Sequence, residues 1–282
     1  MSRRRFKTEA DIARFVRQGF GQGEGSAYIP WIRVQDIPSR GRSRKVPGIK
    51  SGRTHHTLSD LEYYYLLLLE FSSNVVDIRE QYPVFATSRA RDIAAELGIR
   101  YPMYVGTQLP FVMTSDFAVT VMDASGKRRT AIRTCKYESE LSDPNNGLAV
   151  LEKLELERAI WADQGVSDWM VVTEQLMSPI LKDNLDWLHK SALSADAIAT
   201  PEQRANYVNA VVQAADGTRT LSSIVRSISS AIGIPYRNGM ALFRRLVWDK
   251  DILTDIANHR LDPTLPCPRL GIAPTITTQE AA

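Results

Sequence analysis

Two β-branched runs, residues 115–122 and 130–136, flank one short polar turn, Asp123-Ala124-Ser125-Gly126-Lys127. Extended runs joined by a glycine-containing turn close into an antiparallel hairpin, and the rest of the chain has to pack around it. Residues 59–71 read as a buried helix. It opens with the capping-box pattern Ser59-Asp60-Leu61-Glu62, and Leu61, Tyr65, Leu68 and Leu69 follow at helical spacing. Residues 75–84 are extended up to Pro83, and residues 92–97 form a short helix stopped by Gly98. A charged helix over 148–164 should turn Leu151, Leu154 and Ile160 inward. A short apolar strand follows at 169–173, and a helix at 184–190 closes the domain. Strands interrupted by a crossover helix predict an α/β fold, with a mixed sheet flanked by helices.

Ahead of this block, residues 8–18 carry Ile12, Phe15 and Val16 on one helical face. The glycine-rich stretch at 19–25 lacks the terminal Lys-Ser/Thr of a phosphate loop and reads as a turn. Beyond an Ala/Ser-rich linker at 191–200 lies a compact helical unit, residues 201–262. Helices are predicted over 201–215, 221–232 and 236–248, the last two joined by the turn Gly233-Ile234-Pro235. Helix, tight glycine turn, helix is the layout of a helix-turn-helix or winged helix. Its third helix carries Arg237, Arg244 and Arg245, which serve either to reach phosphates or to solvate the helix. Residues 263–282, with Pro263, Pro266, Pro268 and Pro274, read as an extended or disordered tail. Residues 1–190 form the larger domain.

Composition rules out some classes of protein. Lys+Arg is 35 against Asp+Glu 32, a net charge of +3 that does not by itself demand nucleic acid. The distribution is more telling. Arg3, Arg4, Arg5 and Lys7, then Arg40, Arg42, Arg44, Lys45, Lys50 and Arg53, run almost without acidic residues. Such a stripe either docks DNA phosphates or is a solvated arm. Cys135 and Cys267 have no zinc-site spacing, and His55 and His56 are adjacent rather than one turn apart. No apolar leader follows the basic start, and the longest apolar run, 63–69, is too short to span a bilayer. A soluble, cytoplasmic protein with no membrane partner is expected.

The hairpin also carries chemistry. Asp116 sits near the start of one strand and Lys136 at the end of its partner. Thr134 shares the Lys136 face, and the Cys135 carbonyl is open to a cation. Asp, about twenty residues, then x-x-Lys is the skeleton of the PD-(D/E)xK nuclease pattern, which chance also produces in surface hairpins. Phosphodiester hydrolysis needs a divalent ion, and Mg²⁺ prefers oxygen ligands. Glu62 is a third candidate ligand, and it is equally the completing residue of the capping box. Tyr63, Tyr64 and Tyr65 read as core and helix-flank packing.

Several longer blocks carry a family resemblance. They are Tyr28-Ile29-Pro30-Trp31, Gly41-Arg42-Ser43-Arg44, His55-His56-Thr57-Leu58-Ser59-Asp60-Leu61-Glu62, Val76-Asp77-Ile78-Arg79-Glu80-Gln81-Tyr82-Pro83, Ser115-Asp116-Phe117 and Leu151-Glu152-Lys153-Leu154-Glu155-Leu156-Glu157-Arg158. In this order they resemble the TnsA family, endonuclease subunits of heteromeric cut-and-paste transposases. The resemblance spans roughly residues 9–190, and the remainder only in layout. It implies a restriction-endonuclease-like core followed by a winged helix. It places the catalytic residues on Glu62, Asp116 and Lys136, and the metal ligands on Glu62, Asp116 and the Cys135 carbonyl. Thr134, where the family carries Gln, and Glu157 are supporting positions. Arg42, Arg44, Lys45, Lys50 and Arg53 are the expected DNA contacts. The expected cofactor is a pair of Mg²⁺ ions, replaceable by Mn²⁺. The expected partners are transposon-end DNA, a recombinase subunit of the TnsB type that cuts the 3′ ends, and an ATPase regulator of the TnsC type. A stand-alone restriction or repair nuclease on the same core, and a non-enzymatic helix-turn-helix adaptor, are the alternatives.

Overall fold

The computed structural model describes residues 6–36, 42–192 and 199–272. Arg3, Arg4, Arg5, Arg40, most of the expected linker and the end of the expected tail lie outside the described residues. The chain forms two compact units that divide between Leu176 and Met177.

The first unit contains α1 (Glu9–Arg17), β1 (Arg44–Pro47), β2 (Thr54–Thr57), α2 (Asp60–Phe71), β3 (Val75–Val84), α3 (Ser88–Glu96), β4 (Met113–Met122), β5 (Arg128–Cys135), α4 (Glu138–Leu141), α5 (Gly147–Asp163) and β6 (Trp169–Val172). Its sheet has the order β3-β4-β5-β6. The first three strands are antiparallel, with Phe117 opposite Arg133 in the predicted hairpin, and β6 returns parallel to β5 after the α5 crossover. A separate antiparallel pair joins β1 to β2.

Helix α2 buries Leu61, Tyr63, Tyr65, Leu66, Leu67 and Leu69 around most of its circumference. A helix that is apolar all round belongs in the interior, and each fully buried leucine contributes roughly 1.5–3 kcal/mol. It covers one face of the sheet, where the Tyr65 and Phe117 rings meet at 5.8 Å. On the other face α3 and α5 bring Ala90, Ile93, Leu156, Ile160 and Trp161 against Val84, Met113, Ala118 and Ile132. The mixed α/β fold expected from the sequence is present, with two differences in the helices. Helix α3 starts at Ser88 because Thr87 caps it, accepting the Ala90 N–H at 3.1 Å. Leu151 is exposed rather than inward, as is Leu148, because the first turns of α5 run past the core.

The second unit holds α6 (Pro179–Ala192), α7 (Pro201–Ala214), α8 (Leu221–Ala231), α9 (Tyr236–Trp248), β7 (Ile252–Leu253) and β8 (Gly271–Ile272). Helix α6, assigned to the first domain by the sequence reading, belongs here. Asn184 of α6 is buried, donates to the Ile256 and His259 carbonyls and accepts the Leu261 N–H, so it pins the connection from β7 to β8. Helices α8 and α9 with the Gly233 turn form the expected helix-turn-helix. A Cβ on Gly239 would overlap the Ser229 hydroxyl, so only glycine allows this approach of α9 to α8. The described start of the expected tail is structured. Cys267 is buried with its N–H bonded to the Arg219 carbonyl, and β8 pairs with β7 as a minimal wing. Among the described residues no helix is long and apolar enough to cross a membrane.

Candidate active site

Ser59 caps α2 by accepting the Glu62 N–H at 3.1 Å. The Glu62 carboxylate bends back to the start of the helix, where it takes the Leu58 N–H and the Ser59 hydroxyl rather than the Ser59 N–H of a capping box. Its Oε2 accepts the Leu58 N–H at 2.9 Å, and its Oε1 accepts the Ser59 hydroxyl at 2.9 Å. The same Oε2 also takes a bond from Gln81 Nε2 at 3.2 Å, and that nitrogen donates to Asp116 Oδ1 at 3.3 Å. Holding the start of the helix and facing the site are therefore not exclusive, and Glu62 does both.

Across the hairpin, Asp116 Oδ2 accepts the Cys135 N–H at 2.7 Å. Lys136 Nζ donates to the Cys135 carbonyl at 2.9 Å, so an ammonium stands beside the oxygen expected to meet a cation. Glu62, Asp116, the Cys135 carbonyl and Lys136 are thus brought together from α2, β4 and the end of β5. Burial, followed by the Asp116 charge, lifts the Glu62 pKa well above the usual carboxylate range. Burial opposes the charge on Lys136, but Asp116 and then Glu140 outweigh it and raise its pKa. Burial, then the charges of Asp116 and Glu62, push the Cys135 thiol well up, which leaves it an inert neighbour.

The sheet is irregular at this point. Glu80 is bonded by Arg53 and His55 on the β2 side, while the Tyr82 ring meets Trp161 of α5 at 5.9 Å. On β4, Ser115 donates to Glu157 of α5, while Phe117 packs on Tyr65 of α2. Residues two apart on a regular strand share a face, so both strands change facing between these pairs, at Gln81 and Asp116. Gln81 has φ 49°, left-handed for a non-glycine residue.

Behind Asp116, Glu157 is buried and its Oε1 accepts from Ser115 (2.6 Å), Thr134 (2.7 Å) and Trp169 Nε1 (3.3 Å). Burial raises its pKa, and the Ser115 and Thr134 hydroxyls partly offset that. Glu157 is therefore an interior group and not a solvated helix charge. The Thr134 hydroxyl is bonded to Glu157 Oε1.

The basic residues divide. Arg42 and Lys45 are exposed. Arg44 lies over the Tyr63 ring at 4.0 Å and pairs with Asp60 at 2.6 Å. Lys50 is partly buried, which lowers its pKa. Arg53 is an interior residue: it grips both Glu80 oxygens (2.8 and 2.6 Å), donates to the Ile78 and Gly25 carbonyls and stacks on Tyr28. Of the expected DNA contacts, Arg53 is thus withdrawn by a buried ion pair. In the second unit, Arg244 stacks on Trp187 at 4.1 Å and Arg245 is bonded to the Ala192 carbonyl and Asp249, which leaves Arg237 as the exposed arginine of α9.

Sequence reasoning missed Gln81 as a site residue, and it missed the network of Arg53, His55, Glu70 and Glu80. The available signal was a set of polar residues, Asp77, Arg79, Glu80 and Gln81, inside a strand covered on both faces, since buried polar groups are kept only where they are paired.

Residues 72–174 match the family model for the TnsA-like endonuclease N-terminal domain, and residues 178–256 match the model for the TnsA endonuclease C-terminal domain. The first match includes Asp116 and Lys136 and begins ten residues after Glu62. The chain is 40% identical over 195 residues to the transposon Tn7 transposition protein TnsA of Escherichia coli, covering 68% of each chain. With two consecutive domain matches and this degree of identity, the chain belongs to the TnsA family of Tn7-type transposition endonucleases.

Proposed function

We propose that this endonuclease is Mg²⁺-dependent and cuts the 5′ ends of a transposon as one subunit of a heteromeric transposase. The observation that carries the reading is the convergence of Glu62 and Asp116 on one amide nitrogen, with Lys136 and the Cys135 carbonyl beside them. Two carboxylates held this close and largely out of water call for a counter-cation. Among the described residues no three His, Cys, Asp or Glu side chains converge as a metal cage. A set of two carboxylates and one main-chain carbonyl suits a hard ion that keeps most of its waters, which is Mg²⁺, with Mn²⁺ able to replace it. Two ions are the proposed load.

Glu62, Asp116 and the Cys135 carbonyl would hold the metal. When bound, it stabilises the charge that develops on the phosphoryl group. Lys136 sets a second positive charge beside the same carbonyl, where it orients and neutralises the scissile phosphate. The Cys135 N–H fixes one Asp116 oxygen, so Asp116 presents the other to the site. Glu157 and Thr134 support β4 and β5 from behind. Arg42 and Lys45 follow the DNA backbone.

The partners in this reading are transposon-end DNA, a recombinase of the TnsB type and an ATPase of the TnsC type. With Arg244 and Arg245 occupied within the C-terminal unit, that unit is proposed to dock a protein partner rather than to read DNA. Incubating the full chain with end-containing DNA and Mg²⁺, with and without the recombinase and ATPase, tests the function. Cuts mapped to the 5′ ends only in the complete mixture are expected. Vigorous cutting by the chain alone would favour a stand-alone nuclease.

A further inference from the structure

The block Arg79-Glu80-Gln81-Tyr82-Pro83 has a physical role that the nuclease reading leaves unused. Gln81 is 2% exposed and carries the left-handed φ of 49°. Sparsely populated backbone persists only where the surroundings over-determine it, and it clusters at functional sites. Here the surroundings are specific. The preceding Glu80 is clamped by Arg53 and His55, the Trp31 N–H bonds the Gln81 carbonyl at 3.2 Å, and the Thr114 hydroxyl bonds Gln81 Oε1 at 3.3 Å. With the Oε1 end held, both hydrogens of Nε2 are directed away from Thr114. One goes to Glu62 Oε2 at 3.2 Å and the other to Asp116 Oδ1 at 3.3 Å.

We propose that Gln81 is a positioning residue for the metal centre, a neutral strut that holds Glu62 and Asp116 converged before an ion arrives. This rests on the reading of these carboxylates as metal ligands. Like charges at this spacing repel, and a side chain that bridges them must donate to both. A primary amide does so with one nitrogen and brings no charge that would compete with the incoming cation. An ammonium at the same place would occupy the cation's position, and a carboxylate would add to the repulsion until a cation bound. Outer groups that orient metal ligands typically contribute 10–100-fold in metal affinity.

The test is titration of the full chain with Mn²⁺ in the absence of DNA, with free Mn²⁺ followed by electron paramagnetic resonance and thermal melting recorded in parallel. Gln81→Leu removes both donors and is expected to bind Mn²⁺ on the order of 10–100-fold more weakly than wild type. Gln81→Glu sets a third carboxylate in the same place. It is expected to melt lower than wild type without metal and to bind Mn²⁺ at least as tightly as wild type. A residue that only fills space or sustains the backbone turn would shift the melting of both variants and the Mn²⁺ affinity of neither. Should Gln81→Leu fail to fold, Gln81→Gly adopts the left-handed conformation freely and carries the same expectation. Mn²⁺ binding within twofold of wild type in Gln81→Leu and Gln81→Gly, while Asp116→Ala abolishes it, would overturn the strut and leave the metal site standing. Absence of Mn²⁺ binding by the wild-type chain would overturn both.

Discussion

Asp116 and Cys135 meet across β4 and β5 through one short hydrogen bond, in which the carboxylate accepts the Cys135 N–H at 2.7 Å. The bond fixes Asp116 while its other oxygen stays with Gln81. Asp116→Asn keeps an oxygen able to accept that N–H but turns an amide NH2 toward Gln81 Nε2, so the variant should fold with a modest fall in Tm. It removes the negative charge, and several kcal/mol of charge stabilisation corresponds to a loss on the order of 10³-fold in rate. Strand-mapped cleavage in the reconstituted system is the measurement, and wild-type cutting by Asp116→Asn would remove Asp116 from the centre.

Glu157 gathers Ser115, Thr134 and Trp169 on one buried oxygen. Glu157→Ala leaves two buried hydroxyls and the half-buried Trp169 Nε1 without their acceptor, and each unsatisfied buried group costs about 1–3 kcal/mol. A clear fall in denaturant midpoint is expected. Glu157→Gln retains an acceptor of the same shape and should recover most of the stability. Equal stability of Glu157→Ala and wild type would contradict the network.

His55 is fully buried. Its Nδ1 bonds Glu80 at 2.7 Å, and its Nε2 faces Ser51 at 2.9 Å and Glu70 at 3.3 Å, with Arg53 on the far side of Glu80. Burial opposes its protonation, but the bonds from Glu70 and Glu80 outweigh it and raise its pKa above 6.5. On Glu80 burial acts upward, yet Arg53 and His55 hold it down to about 2. The two signs define a window. The His55 contribution is complete below the ordinary histidine value and is lost as pH rises through its raised value. The Glu80 contribution is complete above the ordinary carboxylate value of 4.5 and is lost as pH falls toward 2. Thermal stability should therefore decline on the alkaline side, where the raised pKa of Glu62 acts in the same direction, and His55→Gln should make that limb shallower by the His55 share. A wild-type Tm that is level from pH 6 to 9 would show that His55 is not charged in the fold.

How far the sequence reveals the molecule depends on which kind of signal carries a feature. The hairpin, α2 and the crossover helix are legible because periodicity and turn chemistry are local. The Asp116 and Lys136 pair is legible because it rides on that hairpin. Arg53 is misread because a run of basic residues looks the same whether its members face solvent or a buried carboxylate. Only Glu80, 27 positions away in sequence, decides that. Gln81 is signalled only by the polar residues beside it in a covered strand, and its role is not, because that comes from contacts with Trp31, Thr114 and Asp116, all distant in sequence.

The division among the basic residues makes a prediction of its own. Arg42→Ala and Lys45→Ala alter exposed side chains and should weaken DNA binding uniformly across sequences, each reducing the salt slope by about one, with Tm unchanged. Arg53→Ala leaves Glu80 buried without its bidentate partner, a change that costs about 3–5 kcal/mol. It should appear first as instability. Filter binding across a salt series, paired with melting curves, separates the two classes. An Arg53→Ala chain of normal Tm and weakened DNA affinity would return Arg53 to the interface.

Lys136 yields the prediction with the widest consequence. Its ammonium sits on the Cys135 carbonyl, kept charged by Asp116 and Glu140, while Glu62 and Asp116 keep their bonds to Gln81 and Cys135 without it. Lys136→Ala should therefore leave Mn²⁺ binding largely intact and suppress cleavage. Arginine should not fully rescue, because its planar fork is larger and cannot give up a proton. In the proposed transposase the partner recombinase would go on cutting and joining 3′ ends while the 5′ ends stayed attached to donor DNA. The element could then no longer leave its donor, and copying across the joined strands would yield cointegrates instead of simple insertions. Sequencing the transposition products of a Lys136→Ala strain reads this directly. Simple insertions at the wild-type ratio would mean that Lys136 has no part in 5′ cleavage.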